Sequence, residues 1–408
     1  MEEKRSASLY IHIPFCRKKC DYCDFFSIGM LSRCADLYTV KDNFIQSVLK
    51  EVHFYAHLYD ISEWKTVYVG GGTPSQLSLS QISALFKGIF TAAPLACDAE
   101  VTMEVNPDDV SEPLLTTLSC SGVNRISMGI QAFDGRALDS VRRTASAESA
   151  ERALEVLCSG WKGRLSCDLI AGLPNHTYAS FEQGVRKLCS FGQVDHISLY
   201  TLTVEDGTPL AKNIESGKVR WSQEKADRMW IRGRNILERS GFFQYEVSNF
   251  CRPGFQSRHN SVYWRLQDYI GCGAGASGTV YGRAAGDGSV LPAIRWTNTC
   301  SLDAYTDFWI HAAGDGLSVP EECIPRTVER LDARVQEFEF LMMGFRMLEG
   351  VSAGEYKARF GGSLAERLGA EDGLFSAWKK QGLARTDGNR FALTRRGILL
   401  LNRFLEEL

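Results

Sequence analysis

The sequence predicts an α/β protein: six strand–helix units in succession, then a smaller and mostly helical unit. Two observations carry the prediction. From residue 8 to about 250, short runs rich in β-branched and aromatic residues alternate with segments of helical apolar spacing. From about residue 300 the alternation stops. Strand–helix repeats of this kind imply parallel strands with right-handed crossovers. Six of them make either an open doubly wound sheet or an incomplete α/β barrel, and the pattern alone leaves both open.

The strands read in order as 8–13 (SLYIHI), 66–70, 99–105 (AEVTMEV), 124–130, 164–171 (RLSCDLIA) and 195–202. They are partly apolar on both faces, as strands covered by helices must be. Helical spacing fills 42–58, 78–90, 147–159, 178–190 and 222–240. In the tail, 328–349 reads as one long amphipathic helix closed by Gly350, with further helices near 353–360 and 370–381. LARTDGNRFALT reads as a hairpin on a DGN turn, and 394–407 as a last helix. Helices followed by a hairpin make a winged-helix-like unit. The expected division is therefore 1–300 and 301–408.

Composition bounds the function. The chain has 408 residues, 44% apolar and 23% charged, with a formal charge of −3. These are the proportions of an ordinary globular protein. The acidic balance argues against a surface that coats nucleic acid. Residues 1–7 lack an apolar core for a secretory signal, and no run approaches a membrane span. Thirteen cysteines without a signal sequence point to a reducing cytoplasm. Ten of them (Cys34, Cys97, Cys120, Cys158, Cys167, Cys189, Cys251, Cys272, Cys300 and Cys323) are scattered, and most read as buried small apolar residues.

Only Cys16, Cys20 and Cys23 form a constellation, spaced C-x3-C-x2-C directly after the first strand. Thiolates are soft ligands that favour iron–sulfur clusters, zinc or copper(I). A closed zinc site takes four ligands, usually as two separated pairs. Three cysteines within eight residues, with no fourth Cys or His immediately after, fit a cubane that leaves one iron open to a chelating ligand. A zinc knuckle completed from a distance, or a loop with no metal, are the alternatives.

In either architecture ligands gather at the carboxyl ends of the strands. There the chain places GGGTPS (70–75), then Glu104 and Asn106 in EVNPDD, then Gln131 with Arg143 beyond it. Asp168 follows, with Gly172 and Pro174 in its exit turn, and then Tyr200, Glu205 and Thr208. Each alone is a cap or turn former. Six successive strand ends of this character define one rim.

The cysteine spacing resembles the signature of radical S-adenosylmethionine proteins. With YIHIPFC, GGGTPS, EVNP, the Gln131 segment, DLIAGLP and YEVSNF, nearly the whole chain resembles the oxygen-independent coproporphyrinogen III oxidase family. That resemblance implies a partial (β/α)6 radical S-adenosylmethionine barrel, with the C-terminal domain packed over its mouth. It implies a [4Fe-4S] cluster on Cys16, Cys20 and Cys23, an electron donor, and S-adenosylmethionine on the open iron. Tyr10 and Tyr22 would lie beside the cluster and the adenine. Gly71, Gly72 and Thr73 would meet the methionyl end. Glu104, Gln131, Arg143 and Asp168 would surround the ribose and carboxylate. The residue types suit those tasks: carboxylates accept from hydroxyls, and arginine pairs with a carboxylate.

Two departures point away from the oxidase itself. The oxidases carry a fourth cysteine, C-x3-C-x2-C-x-C, where this chain has Phe25. Residues 259–264 read HNSVYW. Both features resemble the heme chaperone branch of the family, where HNxxYW is associated with heme binding. His259 is then the candidate iron ligand, with Tyr263 and Trp264 covering a porphyrin face. Arg258 and Arg265 flank the motif and suit the porphyrin carboxylates. The alternative is a turn held by His259 and Asn260, its aromatics packed in the core. His12 alternates along the first strand, and His53 and His57, four apart on a helix with no third ligand nearby, read as a solvated face.

Two functions are implied. One is a cytoplasmic heme chaperone that passes heme to an acceptor protein, touching membranes only peripherally through that acceptor. The other is anaerobic oxidative decarboxylation of coproporphyrinogen III.

Overall fold

Six parallel strands follow one another along the chain: β1 (Arg5–Ile13), β2 (Ile61–Gly71), β3 (Leu95–Val105), β4 (Arg125–Gln131), β5 (Arg164–Ala171) and β6 (His196–Thr201). The computed structural model describes residues 4–30, 36–282, 290–312 and 319–408. Each strand pairs with the next in sequence order. All six expected strands are present. The helices Leu37–Leu58, Leu79–Ala92, Ala147–Gly160, Tyr178–Cys189 and Gln223–Arg239 also stand where helical spacing places them. Their starts are set by side-chain caps: Asp36, Ser78, Ser146, Thr177 and Ser222 each accept from backbone amides of the first turn.

The parallel wall is curled but does not close. β1 and β6 are not neighbours; each pairs outward with additional strands. β7 (Phe243–Gln244) and β8 (Asn249–Cys251) continue antiparallel from β6. On the other side β9 (Tyr269–Cys272) runs parallel to β1. Beyond it lie the antiparallel β10 (Ser277–Val280), β11 (Ala293–Asn298) and β12 (Arg326–Leu331). Six flat strands would span about 24 Å at sheet spacing. Yet Cys16 after β1 and Tyr200 on β6 line the same cavity. Curling brings them together, and the result is a partial barrel.

The strands alternate with a period of two. Leu9, Ile11, Val67, Val69, Val101, Met103, Ile126, Met128, Leu165, Cys167, Ile197 and Leu199 face outward into a core shared with the helices. The opposite face carries Tyr10, His12, Thr66, Tyr68, Glu100, Glu104, Arg125, Ser166, Asp168, His196 and Ser198. A polar lumen results.

The tail departs from expectation in four ways. Residues 326–331 form β12 on the free edge of the large sheet, and the helix begins only at Ala333, capped by Asp332. Edge pairing overrides the helical spacing read for 328–349. The large sheet accordingly runs past the boundary expected at 300, and the helix Leu302–His311 packs on Leu37–Leu58. Third, the helix expected at 394–407 is a 3-10 turn, Gly397–Leu400, followed by Leu401–Glu407. Fourth, among the described residues the C-terminal unit lies at the amino ends of the strands rather than over the cysteine-lined mouth. Its apolar cluster (Phe340, Leu341, Val351, Phe391) takes in Leu266, Val247 and Tyr281, and its Leu348 amide donates to the Tyr245 carbonyl at 3.0 Å. Together with Ser8, Lys65 and Thr66 it encloses a cleft of about 840 Å³ at the amino ends of the strands. The hairpin is as expected, Ala384–Asp387 with Arg390–Leu393, and Val351–Ser352 joins it as a third strand.

The scattered cysteines also need correction. Cys167, Cys251 and Cys272 are buried, but Cys97, Cys120, Cys300 and Cys323 are exposed. Cys34 lies outside the described residues. Among those described, no helix is long and apolar enough to cross a membrane.

Candidate functional site

The cysteine loop is fixed at both ends by backbone bonds. Gly72 N donates to the Ile13 carbonyl and Thr73 N to the Phe15 carbonyl, each at 2.8 Å, while Ile28 N donates to Pro14 at 2.7 Å. The loop is also pinned laterally. Arg142 pairs with the buried Asp21, and Asp21 N donates to the Val141 carbonyl at 3.0 Å. Asp109 collects three neighbours: Ser75 Oγ at 2.7 Å, Gln76 Nε2 at 2.7 Å and Arg17 at 3.4 Å. That carboxylate ties the cysteine loop and the GGGTPS turn to the end of β3.

What these bonds enclose is one cavity of about 470 Å³ at the carboxyl ends of the strands. Cys16, Cys20, Cys23, Tyr22, Gly71, Gly72, Thr73, Glu104, Gln131, Arg143 and Asp168 all line it. Tyr10 stands beneath, its hydroxyl bonded to His12 Nδ1 at 2.9 Å. His12, read from the sequence only as an alternating strand residue, is buried directly beneath Gly71. The signal that points to it is the period-two alternation, which turns residues 8, 10 and 12 into the lumen.

Each wall has its own logic. Gly71 has a φ of +108°, and Gly72 is so close to the chain that a Cβ would stand 2.9 Å from the Ile13 and Phe15 carbonyls. Glu104 accepts from Tyr68 at 2.8 Å and from the Gly71 amide at 3.0 Å. Burial raises its pKa to about 7, against the pull of those two donors. Asp168 is likewise pushed up by burial. Gln131 ends β4 in the left-handed region, φ 69°, at a register shift against β5. Arg143 donates to the Gly129 carbonyl at 2.7 Å and reaches Cys20 Sγ at 3.7 Å. A Cβ at residue 129 would stand 2.8 Å from Gln131 Nε2 and 3.2 Å from Arg143, so glycine leaves room for both side chains.

The donor set fits a cluster and a chelating ligand. Burial pushes the Cys16 and Cys23 thiols up, and Thr73 Oγ1 donates to Cys16 Sγ at 3.5 Å. Bound iron would displace those protons. Among the described residues, no three His, Cys, Asp or Glu converge as they would on a single ion. A cubane does not ask for that, since each thiolate takes a different iron. Arg143 Nε and Asn106 Oδ1 are buried without a hydrogen-bond partner, and both residues face this cavity. Unmet polar atoms of this kind call for a ligand. Phe25, at 61% exposure, also stands at the lip.

The residues expected to contact heme lie elsewhere. The helix Arg258–Trp264 lies at the amino ends of the strands, its first amides bonded to Glu100 and its side chains lining the cleft there. His259 is buried, with Nδ1 on Thr66 Oγ1 at 2.7 Å and Nε2 on the Tyr263 hydroxyl at 2.8 Å. Burial lowers its pKa to about 3. Both ring nitrogens are engaged, so neither faces an iron. Trp264 is half-buried against the Arg346 guanidinium, 5.5 Å away. A neutral histidine folds into the lumen because Thr66 and Tyr263 satisfy it there, the arrangement of the packed-turn alternative.

Comparisons with known proteins agree with this architecture. Residues 10–188 match the family Radical SAM superfamily, and residues 331–400 match the HemN C-terminal domain. The chain is 32% identical to Heme chaperone HemW of Lactococcus lactis subsp. lactis (strain IL1403), over 98% of this chain and 96% of that protein. It is 32% identical to Heme chaperone HemW of Escherichia coli (strain K12), over 98% and 97%. The solved structure of coproporphyrinogen III oxidase (HemN) from Escherichia coli superposes with a TM-score of 0.78 at 22% identity, covering 99% of this chain and 90% of that one. That likeness is one of fold.

Proposed function

Because the chain belongs to the HemW family of radical S-adenosylmethionine proteins, we propose that it is a heme chaperone. On this reading it carries a [4Fe-4S] cluster and S-adenosylmethionine, binds heme and passes it to an acceptor protein in the cytoplasm. The observation that carries the first half is the single cavity in which three thiols, a glycine rim and the polar residues Glu104, Gln131, Arg143 and Asp168 meet. Support for the second half comes from relatives of nearly equal length that are named heme chaperones.

Cys16, Cys20 and Cys23 would hold the cluster, which when bound supplies an electron to the sulfonium centre. Gly71, Gly72 and Thr73 leave space for the methionyl end. Glu104 and Asp168 offer acceptors to ribose hydroxyls, and Arg143 a cation to a carboxylate. Phe25 stands where the oxidase pattern has a cysteine, so the lip of the cavity is apolar there. Heme ligation by His259 would first free one ring nitrogen from Thr66 or Tyr263, whereas Arg258 and Arg265 already line the cleft at the amino ends of the strands.

Titrating the purified, cluster-loaded protein with heme, beside an anaerobic coproporphyrinogen decarboxylation assay, tests the proposal. Heme binding without vinyl product is expected. Vinyl product formed with S-adenosylmethionine and a reductant would restore the oxidase.

A further inference from the structure

His259 stands at the centre of a stacked group from which two routes lead to the same glycine. Its ring stacks on Tyr68 with centroids 5.0 Å apart and planes 27° from parallel. Tyr68 in turn donates to Glu104 Oε1 at 2.8 Å, and Glu104 Oε2 accepts from Gly71 N at 3.0 Å. The second route runs through Tyr10, whose ring lies 6.4 Å from His259 and 6.2 Å from Tyr68. The Tyr10 hydroxyl meets His12 Nδ1 at 2.9 Å, and His12 Nε2 meets the Phe26 carbonyl at 2.8 Å. A carbonyl only accepts, so Nε2 carries the proton and Tyr10 donates to Nδ1. Gly71 lies directly on that imidazole; a Cβ there would be 2.6 Å from it.

The helix bearing His259 is anchored rather than free. Glu100 accepts from the backbone amides of His259 at 2.9 Å and Arg258 at 3.2 Å. With Nδ1 on Thr66 and Nε2 on Tyr263, the ring has one orientation open to it. Its flat face therefore holds the Tyr68 ring in place, and Tyr68 aims one hydroxyl at Glu104.

We infer that His259 is a positioning residue for the cysteine-lined cavity: by holding Tyr68, it fixes the Glu104 carboxylate and, through it, the Gly71 amide. The inference rests on reading that cavity as the S-adenosylmethionine site. A carboxylate held by two donors keeps its remaining lone pairs turned to the ligand, and such support decides how well a site is preorganised. His259 acts through Tyr68 and touches neither cluster nor ligand.

The test compares cluster-reconstituted wild type, Tyr68→Phe, His259→Ala, the double variant and the milder Tyr263→Phe. S-adenosylmethionine affinity is measured by calorimetry, with iron content and thermal midpoint recorded for each. Tyr68→Phe and His259→Ala should each weaken binding by about tenfold, the worth of one charge-assisted bond, while iron content stays at the wild-type value. The double variant should bind no more weakly than Tyr68→Phe alone, because the two act in series. Losses that simply multiply would overturn the inference, as would wild-type affinity in His259→Ala. Where His259→Ala loses iron through misfolding, Tyr263→Phe decides: weaker binding at full iron content supports the role, and unchanged binding overturns it. A wild type with no affinity at all overturns the reading of the cavity, and the inference with it.

Discussion

Gly71 and His12 are packed so closely that a Cβ on residue 71 would stand 2.6 Å from the imidazole. The backbone there has a φ of +108°, in the left-handed region that glycine adopts readily and other residues do not. Space and dihedral thus exclude a side chain independently. The amide of the same residue holds Glu104, so any movement of the turn is felt at the polar wall of the cavity.

Gly71→Val should therefore block S-adenosylmethionine binding while leaving the cluster chromophore intact. The backbone strain adds a stability cost on the order of 1–3 kcal/mol. Calorimetry on the reconstituted variant checks the first part and thermal unfolding the second. Unchanged affinity would mean that the glycines serve the turn alone.

Cys16, Cys20 and Cys23 should account for the whole iron–sulfur content. The other described cysteines stand apart from the cavity, and Cys97, Cys120, Cys300 and Cys323 are exposed at the surface. A triple Cys→Ala variant, reconstituted anaerobically, is expected to retain no cluster by iron and sulfide analysis. About four irons per chain in that variant would refute the assignment.

Much of this site is legible in the amino-acid sequence alone. The cysteine spacing, the glycine turn and the polar strand ends all depend on local sequence at the carboxyl ends of strands, where the fold fixes position. Residues 259–264 are not legible in the same way. HNSVYW reads as a heme-contacting segment or as a packed turn, and its packing depends on Thr66 and Glu100, which are distant in the chain and bond His259 only once the barrel has curled. The same holds for β12, where VERL carries helical spacing but finds an unpaired strand edge at Ala293–Asn298. Long-range pairing outweighs weak local preference in both cases.

The last prediction concerns Glu51, a buried carboxylate outside the lining of the cysteine-lined cavity. It sits on the helix Leu37–Leu58 and accepts three bonds: from Gly273 N at 2.8 Å, from Asn298 Nδ2 at 2.7 Å and from the Tyr305 hydroxyl. It thereby stitches that helix to the β9–β10 loop and to the segment 298–305. Burial pushes its pKa from 4.5 up to about 7, and the three donors only partly oppose the shift. The folded chain therefore binds this proton more tightly than the unfolded chain does. Its contribution to stability is complete below about pH 4.5 and is lost as pH rises through about 7, a change on the order of 3 kcal/mol. Urea unfolding between those pH values should show wild-type stability falling as pH rises. Glu104 and Glu246, both also raised to about 7, share in that slope. Glu51→Gln carries no titrating group there, so its slope should be shallower by one proton's share while the remainder persists. An identical slope in the variant would show that Glu51 stays ionised in the folded protein across the whole range.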